Sequence, residues 1–277
     1  MPVLMPNSLR AACQLLSGYA SSAIPIAGGT DLMVHWPERL DAHQRTYLDL
    51  SGIEELKPIC WTADELRLGA LTSYWDTCQD SKIVDEFPLL VTAARQVGAV
   101  QIQTRGTWAG NAANASPAAD GVPVMMVYDA ILDLISKDGV EEIPLSEFYL
   151  GYKTTKRRPD QIICSIRMPR RTYHFEYFEK VGTRRAQAIT KAGVAVTHSE
   201  FGWRVAVNSV APTVCRCSHL ERELSAETPM ARPEDVLAVL RRDISPIDDL
   251  RSSARYRERV LARLIFFALR EYCAFIG

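Results

Sequence analysis

The chain has 277 residues, of which 47 % are hydrophobic, and its 32 basic and 33 acidic residues give a formal net charge of −1. This length is enough for two domains with their own cores, and the balanced charge offers no basic excess to attract nucleic acid or an anionic membrane. The first twenty residues lack the apolar run of a secretory leader. The longest apolar stretch, 261–276, is interrupted by Arg263, Arg270 and Glu271, so no membrane span is expected and a cytoplasmic location is predicted.

Seven cysteines are scattered along the chain, and no two of them form a C-x-x-C pair. An odd, dispersed set disfavours a disulfide framework, and we expect no zinc ion or iron–sulfur cluster on this chain alone. Two interpretations stay open for Cys215 and Cys217. They could share one face of a strand in a redox or metal role, or serve as small apolar residues where a strand enters a loop.

The first subdomain is predicted over residues 1–58. Its apolar pattern predicts a helix after the cap Ser8 that ends at Gly18, a strand at 24–27, a short helix at 32–36 and a strand at 47–50. Strand, helix and strand in this order indicate a compact β-α-β-like unit.

The second subdomain is predicted over residues 59–170. Its elements are a strand at 66–70, helices at 87–97 and 122–127, and strands at 131–136 and 161–168. Residues 101–120 differ from the rest, because they are small and nearly uncharged and show no regular period. We predict a loop there whose backbone packs closely against another group.

The pattern changes after Arg170, which marks the predicted domain boundary. Strands are predicted at 175–181, 188–198 and 203–211, and helices at 234–241 and 254–275. Strands followed by helices indicate a small C-terminal domain, residues 171–277, of antiparallel sheet plus helices. The fold class is therefore predicted to be α+β.

Two segments carry the chemistry of a ligand site. The first loop, residues 27–31, has the sequence AGGTD between a strand and a helix, where glycine backbone and a helix N-terminus suit a pyrophosphate. The second loop, residues 106–120, alternates small residues with neutral hydrogen-bonding side chains that can orient a large polar ligand. Read alone, the first loop is also compatible with a simple tight turn, and the second with a surface loop.

Five motifs in order resemble the FAD-binding subunit of the xanthine dehydrogenase family of molybdenum hydroxylases, nearly end to end. This family includes bacterial xanthine, carbon monoxide, nicotinate and aldehyde dehydrogenases. The motifs are PIAGGTDL (25–32), GTWAGNAANASPAADGVP (106–123), EKVGTR (179–184), VAPT (210–213) and PIDDLRSSARYR (246–257).

The resemblance implies a fold, a cofactor and partners. An N-terminal FAD-binding region of the PCMH type, made of two α/β subdomains, would precede a C-terminal domain of the carbon monoxide dehydrogenase flavoprotein type. FAD would be bound non-covalently. A small subunit with two [2Fe–2S] clusters and a large molybdopterin subunit would complete a heterotrimer, and two heterotrimers would form a dimer. Electrons would pass from molybdenum through the clusters to FAD, and then to NAD or another acceptor.

The resemblance also assigns cofactor-binding residues, and no catalytic or metal-binding residue. The FAD pyrophosphate would lie on the first loop, Asp120 would meet a ribityl or ribose hydroxyl, Ile163 would touch the flavin through its backbone, and Lys180 would lie near the polar edge of the flavin. The complete set is Ala27, Gly28, Gly29, Thr30, Asp31, Thr107, Gly110, Asn111, Asn114, Ser116, Asp120, Ile163 and Lys180.

The chain departs from the family pattern at three places. Gln103 and Thr104 stand where Arg-Asn is usual, and Ala109 replaces the first glycine of a Gly-Gly-Asn. After the arginine the family usually has an aspartate two residues ahead of an alanine, and here Ala188 precedes Ile189 and Thr190 instead. FAD binding is still expected with these changes. The redox potential of the flavin and the choice of electron acceptor are the properties that they would affect.

Two other functions remain open at this stage. The chain could be a scaffold subunit that has lost its flavin, which the flavin absorbance of the purified protein would reveal. It could also be a free-standing flavin oxidoreductase, although the sequence contains no evident constellation of catalytic acid, base and substrate clamp.

Overall fold

A computed structural model describes residues 2–19, 22–35 and 45–277 of the chain. It combines helices with three larger sheets and a two-stranded hairpin sheet, so the predicted α+β class is confirmed. Successive parts of the chain build the three larger sheets, and the C-terminal part begins with the strand after Arg171.

The first part of the chain is a parallel three-stranded sheet in the order β1-β3-β2. The parallel pairing of β2 with β3 agrees with the β-α-β-like pattern, whereas β1 was not predicted. Its elements are β1 (Val3–Leu4), α1 (Leu9–Tyr19), β2 (Ala23–Ile26), α2 (Thr30–His35) and β3 (Thr46–Asp49). Ser8 Oγ accepts a hydrogen bond from Ala11 N at 3.3 Å, which confirms the predicted cap. Gly18 lies within α1 and does not end it. The predicted last residue of the second helix, Trp36, lies outside the described residues.

The second part is a five-stranded sheet in the order β4-β5-β10-β6-β7, in which every neighbouring pair is antiparallel. Its strands are β4 (Ile59–Trp61), β5 (Glu65–Gly69), β6 (Ile131–Ser136), β7 (Gly139–Pro144) and β10 (Ile162–Pro169). A hairpin beside it consists of β8 (Tyr149–Gly151) and β9 (Thr154–Thr155). The helices are α3 (Tyr74–Gln79), α4 (Ser81–Glu86), α5 (Pro88–Gln96), α6 (Val100–Gln103), α7 (Trp108–Asn114) and α8 (Gly121–Val127).

The prediction that residues 101–120 form an irregular loop is wrong, because they contain α7 and all but the first residue of α6. Thr107 caps α7 by accepting a hydrogen bond from Gly110 N at 2.9 Å. The indole of Trp108 is fully buried. Packing and capping therefore override the weak helix propensity of Gly110 and the asparagines.

The C-terminal part is an antiparallel sheet in the order β11-β12-β13-β14, followed by helices. Its elements are β11 (Tyr173–Val181), β12 (Ala192–Ser199), β13 (Gly202–Asn208), β14 (Cys215–Arg216), α9 (Ser218–Ser225), α10 (Pro233–Leu240) and α11 (Ala254–Leu269). The sequence pattern did not predict α9, and it predicted that the last helix runs to residue 275, whereas α11 ends at Leu269. It stops at Leu269 because the final residues turn back, where Met230 N donates to Phe275 O at 2.9 Å.

The C-terminal sheet packs on both faces. Val194, Val196 and Val205 point toward α9 to α11 and form one core with them. Phe178, Ala195 and Ala206 point the other way and join the core of the first half of the chain. All seven residues of α8 are buried, and this helix packs against β12 and β13. The close fit of α8 to the sheet places the strand residue Lys180 near the loop that precedes α8.

Candidate functional site

The first and second loops lie in backbone contact at one place. A Cβ atom added to Gly28 would lie 1.7 Å from Arg105 O, so only glycine fits there. Gly29 has a φ of +70°, a left-handed conformation that glycine adopts without strain. Within the described residues, the N–H groups of Gly28 and Gly29 donate to no acceptor. The two loops therefore share a surface with backbone donors available to a ligand.

In the second loop, two of the predicted residues hold the local structure. Thr107 caps α7 through Gly110 N, and Asn111 Oδ1 accepts a hydrogen bond from Gly121 N at 3.2 Å. Gly110 itself is exposed. Ala109 lies inside α7 with ordinary helical backbone, so its replacement of glycine causes no strain.

Asn114 connects three segments of the chain. Its Nδ2 donates to Asp31 Oδ1 at 3.0 Å, and its Oδ1 accepts from Lys153 Nζ at 2.6 Å. Asp31 opens α2, and Lys153 lies in the turn between β8 and β9. Ser116, just beyond, accepts from Ala118 N at 3.3 Å. Sequence reasoning missed Lys153, because no motif marks the hairpin and its approach to Asn114 depends on tertiary contacts.

Asp120 and Lys180, which are sixty positions apart, form a buried ion pair. Lys180 Nζ lies 2.5 Å from Asp120 Oδ2 and also donates to Gln96 O at 3.0 Å. Thr190 donates its hydroxyl to Asp120 Oδ1. The side chains of Asp120 and Lys180 are 11 % and 7 % exposed. Burial raises the pKa of Asp120, and the charge and hydrogen bond of Lys180, together with the hydrogen bond of Thr190, act against that rise.

The predicted pair is thus joined by partners that sequence reasoning did not assign. Thr190 was noted only as a departure from the family pattern. Asn208 was not noted at all, and its Nδ2 donates to Ala119 O at 2.8 Å, next to Asp120. The sequence shows that Thr190 and Asn208 are polar, but only the fold shows that both are buried and that their partners are Asp120 and Ala119.

Ile163 lies in β10, the central strand of its sheet, and its side chain is buried in the core. A β-bulge follows it, because the register with β6 shifts between Ile163 and Ser165. Cys164 is the extra residue, with Sγ 3.3 Å from Asp133 O. Burial raises the pKa of the Cys164 thiol to about 11, so this cysteine is a poor nucleophile at neutral pH.

The substitutions at Gln103 and Thr104 have a structural explanation. Gln103 is buried, and its Nε2 donates to Arg95 O and Val97 O, each at 3.2 Å, which closes the end of α5. Thr104 donates to Gln101 O at 3.3 Å. Both side chains therefore stabilise the approach to the second loop without a charged group.

The residues of the two loops fit FAD in their chemistry. Gly28 lets the first loop pack directly on Arg105 O, which brings the backbone N–H groups of Gly28 and Gly29 onto one surface with the second loop, and backbone donors of this kind suit a pyrophosphate. The Lys180 ammonium offers a buried cation for the polar edge of a flavin. Tyr177, which could in principle bear a covalent flavin, packs toward α11 on the opposite face of β11 from Phe178 and Lys180.

Metal and membrane features are absent from the described part of the chain. No three His, Cys, Asp or Glu side chains come together there in a way that could hold a metal ion. Cys217 is buried at the start of α9, and Cys215 contacts Asp243 O through Sγ at 3.8 Å. None of the helices among these residues has the length and apolar content needed to cross a bilayer.

Two family descriptions match consecutive parts of the sequence. Residues 1–171 match the FAD binding domain in molybdopterin dehydrogenase, and residues 176–272 match the CO dehydrogenase flavoprotein C-terminal domain. The chain is 28 % identical over 269 residues to the xanthine dehydrogenase FAD-binding subunit of Escherichia coli O157:H7, covering 91 % of this chain and 89 % of that protein. It is 26 % identical to the carbon monoxide dehydrogenase medium chain of Hydrogenophaga pseudoflava, covering 95 % and 94 %.

A solved structure shares the whole fold. The chain superposes with a TM-score of 0.88 on a chain of the carbon monoxide dehydrogenase from Hydrogenophaga pseudoflava that lacks the Mo-pyranopterin moiety of its molybdenum cofactor. The two are 26 % identical, and the match covers 100 % of this chain and 98 % of the other.

Proposed function

The chain belongs to the FAD-binding medium subunits of the xanthine and carbon monoxide dehydrogenase family, and we propose that it carries electrons through FAD inside such a complex. It is thus an oxidoreductase subunit with FAD as its cofactor. Electrons enter from [2Fe–2S] clusters of a small subunit and leave to NAD or another soluble acceptor. FAD, when bound, supplies the ability to take up single electrons and to give up a pair.

Partner subunits complete this function. Molybdopterin and [2Fe–2S] clusters reside in other subunits of these complexes. We propose a molybdopterin-binding large subunit and a [2Fe–2S] small subunit, assembled in the cytoplasm as a dimer of heterotrimers. We also propose a domain boundary near residue 170, between the segments that the two family descriptions match.

The binding mode proposed for FAD follows the two loops. The pyrophosphate lies on residues 27–31 and on the exposed backbone at Gly110, and the flavin reaches the Lys180 ammonium, with Ile163 alongside through its backbone. The observation that carries the proposal is the contact of Gly28 with Arg105 O, because it joins both loops into one cradle. The residues of both loops orient the ligand, and the buried Asp120 carboxylate holds the Lys180 ammonium near the flavin.

The cradle is tested by Gly28→Ala. We expect the purified protein to lose most of its flavin, with affinity for FAD at least about a hundredfold lower, because the new Cβ forces the two loops apart. Gly18→Ala is the matched control, since a Cβ there has no atom within 4 Å. Flavin absorbance after dialysis measures both. Equal flavin contents in the two variants would refute the proposed site.

Non-covalent binding is tested by acid precipitation. All the flavin should appear in the supernatant, because Cys164 is bonded within the sheet and Tyr177 packs toward α11. A precipitated peptide with the added mass of one FAD would contradict this proposal.

The acceptor and partners are tested by purification from the source cell. Co-purifying subunits with molybdenum and iron support the complex, and anaerobic reoxidation of the reduced flavin by NAD identifies the acceptor. A flavin-free chain in an intact complex would favour the scaffold alternative. A fully active single chain would favour the free-standing oxidoreductase.

A further inference from the structure

Thr190 contacts the charged pair of the candidate flavin site although no motif assigns it a role. It lies two residues before β12 and its side chain is 1 % exposed. Its hydroxyl donates to Asp120 Oδ1, while Lys180 Nζ lies 2.5 Å from Asp120 Oδ2. Each oxygen of one buried carboxylate is therefore held by a different segment of the C-terminal part.

The position of Thr190 is itself fixed from the last helix. Ser209 Oγ donates to Thr190 O at 3.0 Å, and Arg257 Nη1 of α11 donates to Ser209 O at 2.5 Å. The side chain of Arg257 is 5 % exposed and also binds Asp249 at 2.6 Å. The hydroxyl therefore presents its proton to Asp120 from a rigid support.

Burial raises the pKa of the Asp120 carboxyl. Burial favours its neutral form, and each donor that bonds it favours the charged form. The groups that face Asp120 are the Lys180 ammonium from β11, the Tyr74 phenol from α3, the Thr190 hydroxyl and the Asn208 amide. Tyr74 is neutral near pH 7, because burial and the Asp120 charge raise its pKa. Lys180 and Thr190 are then the two donors that oppose burial most directly.

We propose that Thr190 is a positioning residue that keeps Asp120 ionised and thereby holds the Lys180 ammonium in place for the flavin. The inference rests on the proposed FAD site and adds a residue to it. An alanine, which the resemblance leads one to expect here, has no hydroxyl to donate.

The test is the pH profile of FAD retention in the full chain. Thr190→Val removes the hydroxyl and keeps the branched shape. We expect the pH below which FAD dissociates to move upward by about one unit, equivalent to loss of a single hydrogen bond to a charged group. Affinity at the original midpoint should fall by about tenfold. Thr190→Ser, which restores a hydroxyl, should return the midpoint toward that of the unaltered protein.

Thr197→Val is the matched control. Thr197 lies in β12, is also 1 % exposed, and donates its hydroxyl to Val127 O in α8 at 2.9 Å. Its loss removes a buried hydrogen bond between the same two parts of the molecule without touching Asp120. The melting temperature should fall in both valine variants, whereas only Thr190→Val should shift the pH midpoint.

The outcomes separate this inference from the proposed function. If the unaltered chain binds no FAD at any pH, the proposed function fails. If it binds FAD and the midpoints of Thr190→Val and Thr197→Val move equally or not at all, the inference alone is overturned. Failure of Thr190→Ser to restore the midpoint also overturns it. Thr190→Ala gives the same readout if the valine variant does not fold.

Discussion

An aspartate at each end of α8 binds the C-terminal sheet, and the two are built differently. Asp120 precedes the helix and meets one cation, Lys180, together with the hydroxyl of Thr190. Asp129 follows the helix and meets three guanidinium groups, those of Arg171, Arg204 and Arg216. At its N-terminal end, α8 is therefore joined to the C-terminal sheet by one anion and one cation. At its C-terminal end, it is joined by one anion and three cations.

The pKa values of the two carboxyls shift in opposite directions. Burial would raise the pKa of Asp129, but hydrogen bonds from Arg204 and Arg171 and the charges of Arg204 and Arg216 outweigh it, and the pKa is lowered. Burial raises the pKa of Asp120, whose single ammonium partner does not outweigh it. The Asp129 end is therefore suited to stability, and the Asp120 end, beside the candidate flavin site, to adjustment of a local charge.

The largest effect is expected for Asp129, whose loss should lower the stability of the protein without changing its affinity for FAD. Asp129→Ala leaves the partly buried guanidinium groups of Arg171 and Arg204 without their counter-charge, whereas Arg216 keeps Glu221, so the free energy of unfolding should fall by about 3–5 kcal/mol. Affinity of the folded protein for FAD should stay unchanged. Urea unfolding and flavin titration measure the two quantities. Glu54→Ala, which removes an exposed pair with Lys57, is the control and should cost about 0–1 kcal/mol. A similarly small loss for Asp129→Ala would remove the contrast.

The second prediction concerns the other end of α8. Asp120→Ala should lower FAD affinity by about ten- to a hundredfold, corresponding to about 1.5–3 kcal/mol for a charge-assisted hydrogen bond. Asp120→Asn keeps the size and one acceptor oxygen, so its loss should be smaller. Fluorescence titration with FAD provides the measurement. Unchanged affinity in both variants would mean that the Asp120–Lys180 pair serves the fold alone.

The third prediction follows from the lowered pKa of Asp129. A carboxyl whose folded pKa lies below its unfolded value, near 4, stabilises the protein above that value and loses this contribution as the pH falls through the folded pKa. Thermal unfolding between about pH 2 and pH 5 should therefore be steeper in pH for the unaltered protein than for Asp129→Asn. Parallel curves would contradict the assignment of Asp129 as a stabilising anion.

The smallest expected effect concerns the surface of the site. Lys153→Gln removes the exposed cation that binds Asn114, so FAD affinity should fall by at most about fivefold, within the range of exposed charge interactions. Added salt should weaken FAD binding more in the unaltered protein than in the variant. Lys156→Gln, in the same hairpin but paired with Glu147 at 3.4 Å, is the control and should leave affinity unchanged.

Local pattern was a good guide where one stretch of chain decides its own structure. The strand at 131–136 has the predicted bounds, and the cap at Ser8 and the parallel pairing of β2 with β3 are as expected. Pattern was a poor guide at α7 and at the end of α11. Burial of Trp108 made a helix of a glycine- and asparagine-containing segment, and pairing of the C-terminal residues with Met230 stopped a helix that the apolar spacing would continue.

The sequence by itself determined the family, the α+β class and the two loops, because each depends on residues that are adjacent or in a fixed order. Only the tertiary structure decided that Gly28 meets Arg105, that Lys153 reaches Asn114, and that Thr190 bonds Asp120. Such contacts join residues that are far apart in the sequence. Lys153 and Asn114 are 39 positions apart, and Asn114 and Asp31, which are also hydrogen-bonded, are 83 positions apart. The contact of Thr190 with Asp120 depends on how α8 packs against the C-terminal sheet, and the other two contacts depend on how segments that precede this sheet pack together. No periodicity or local propensity encodes such contacts.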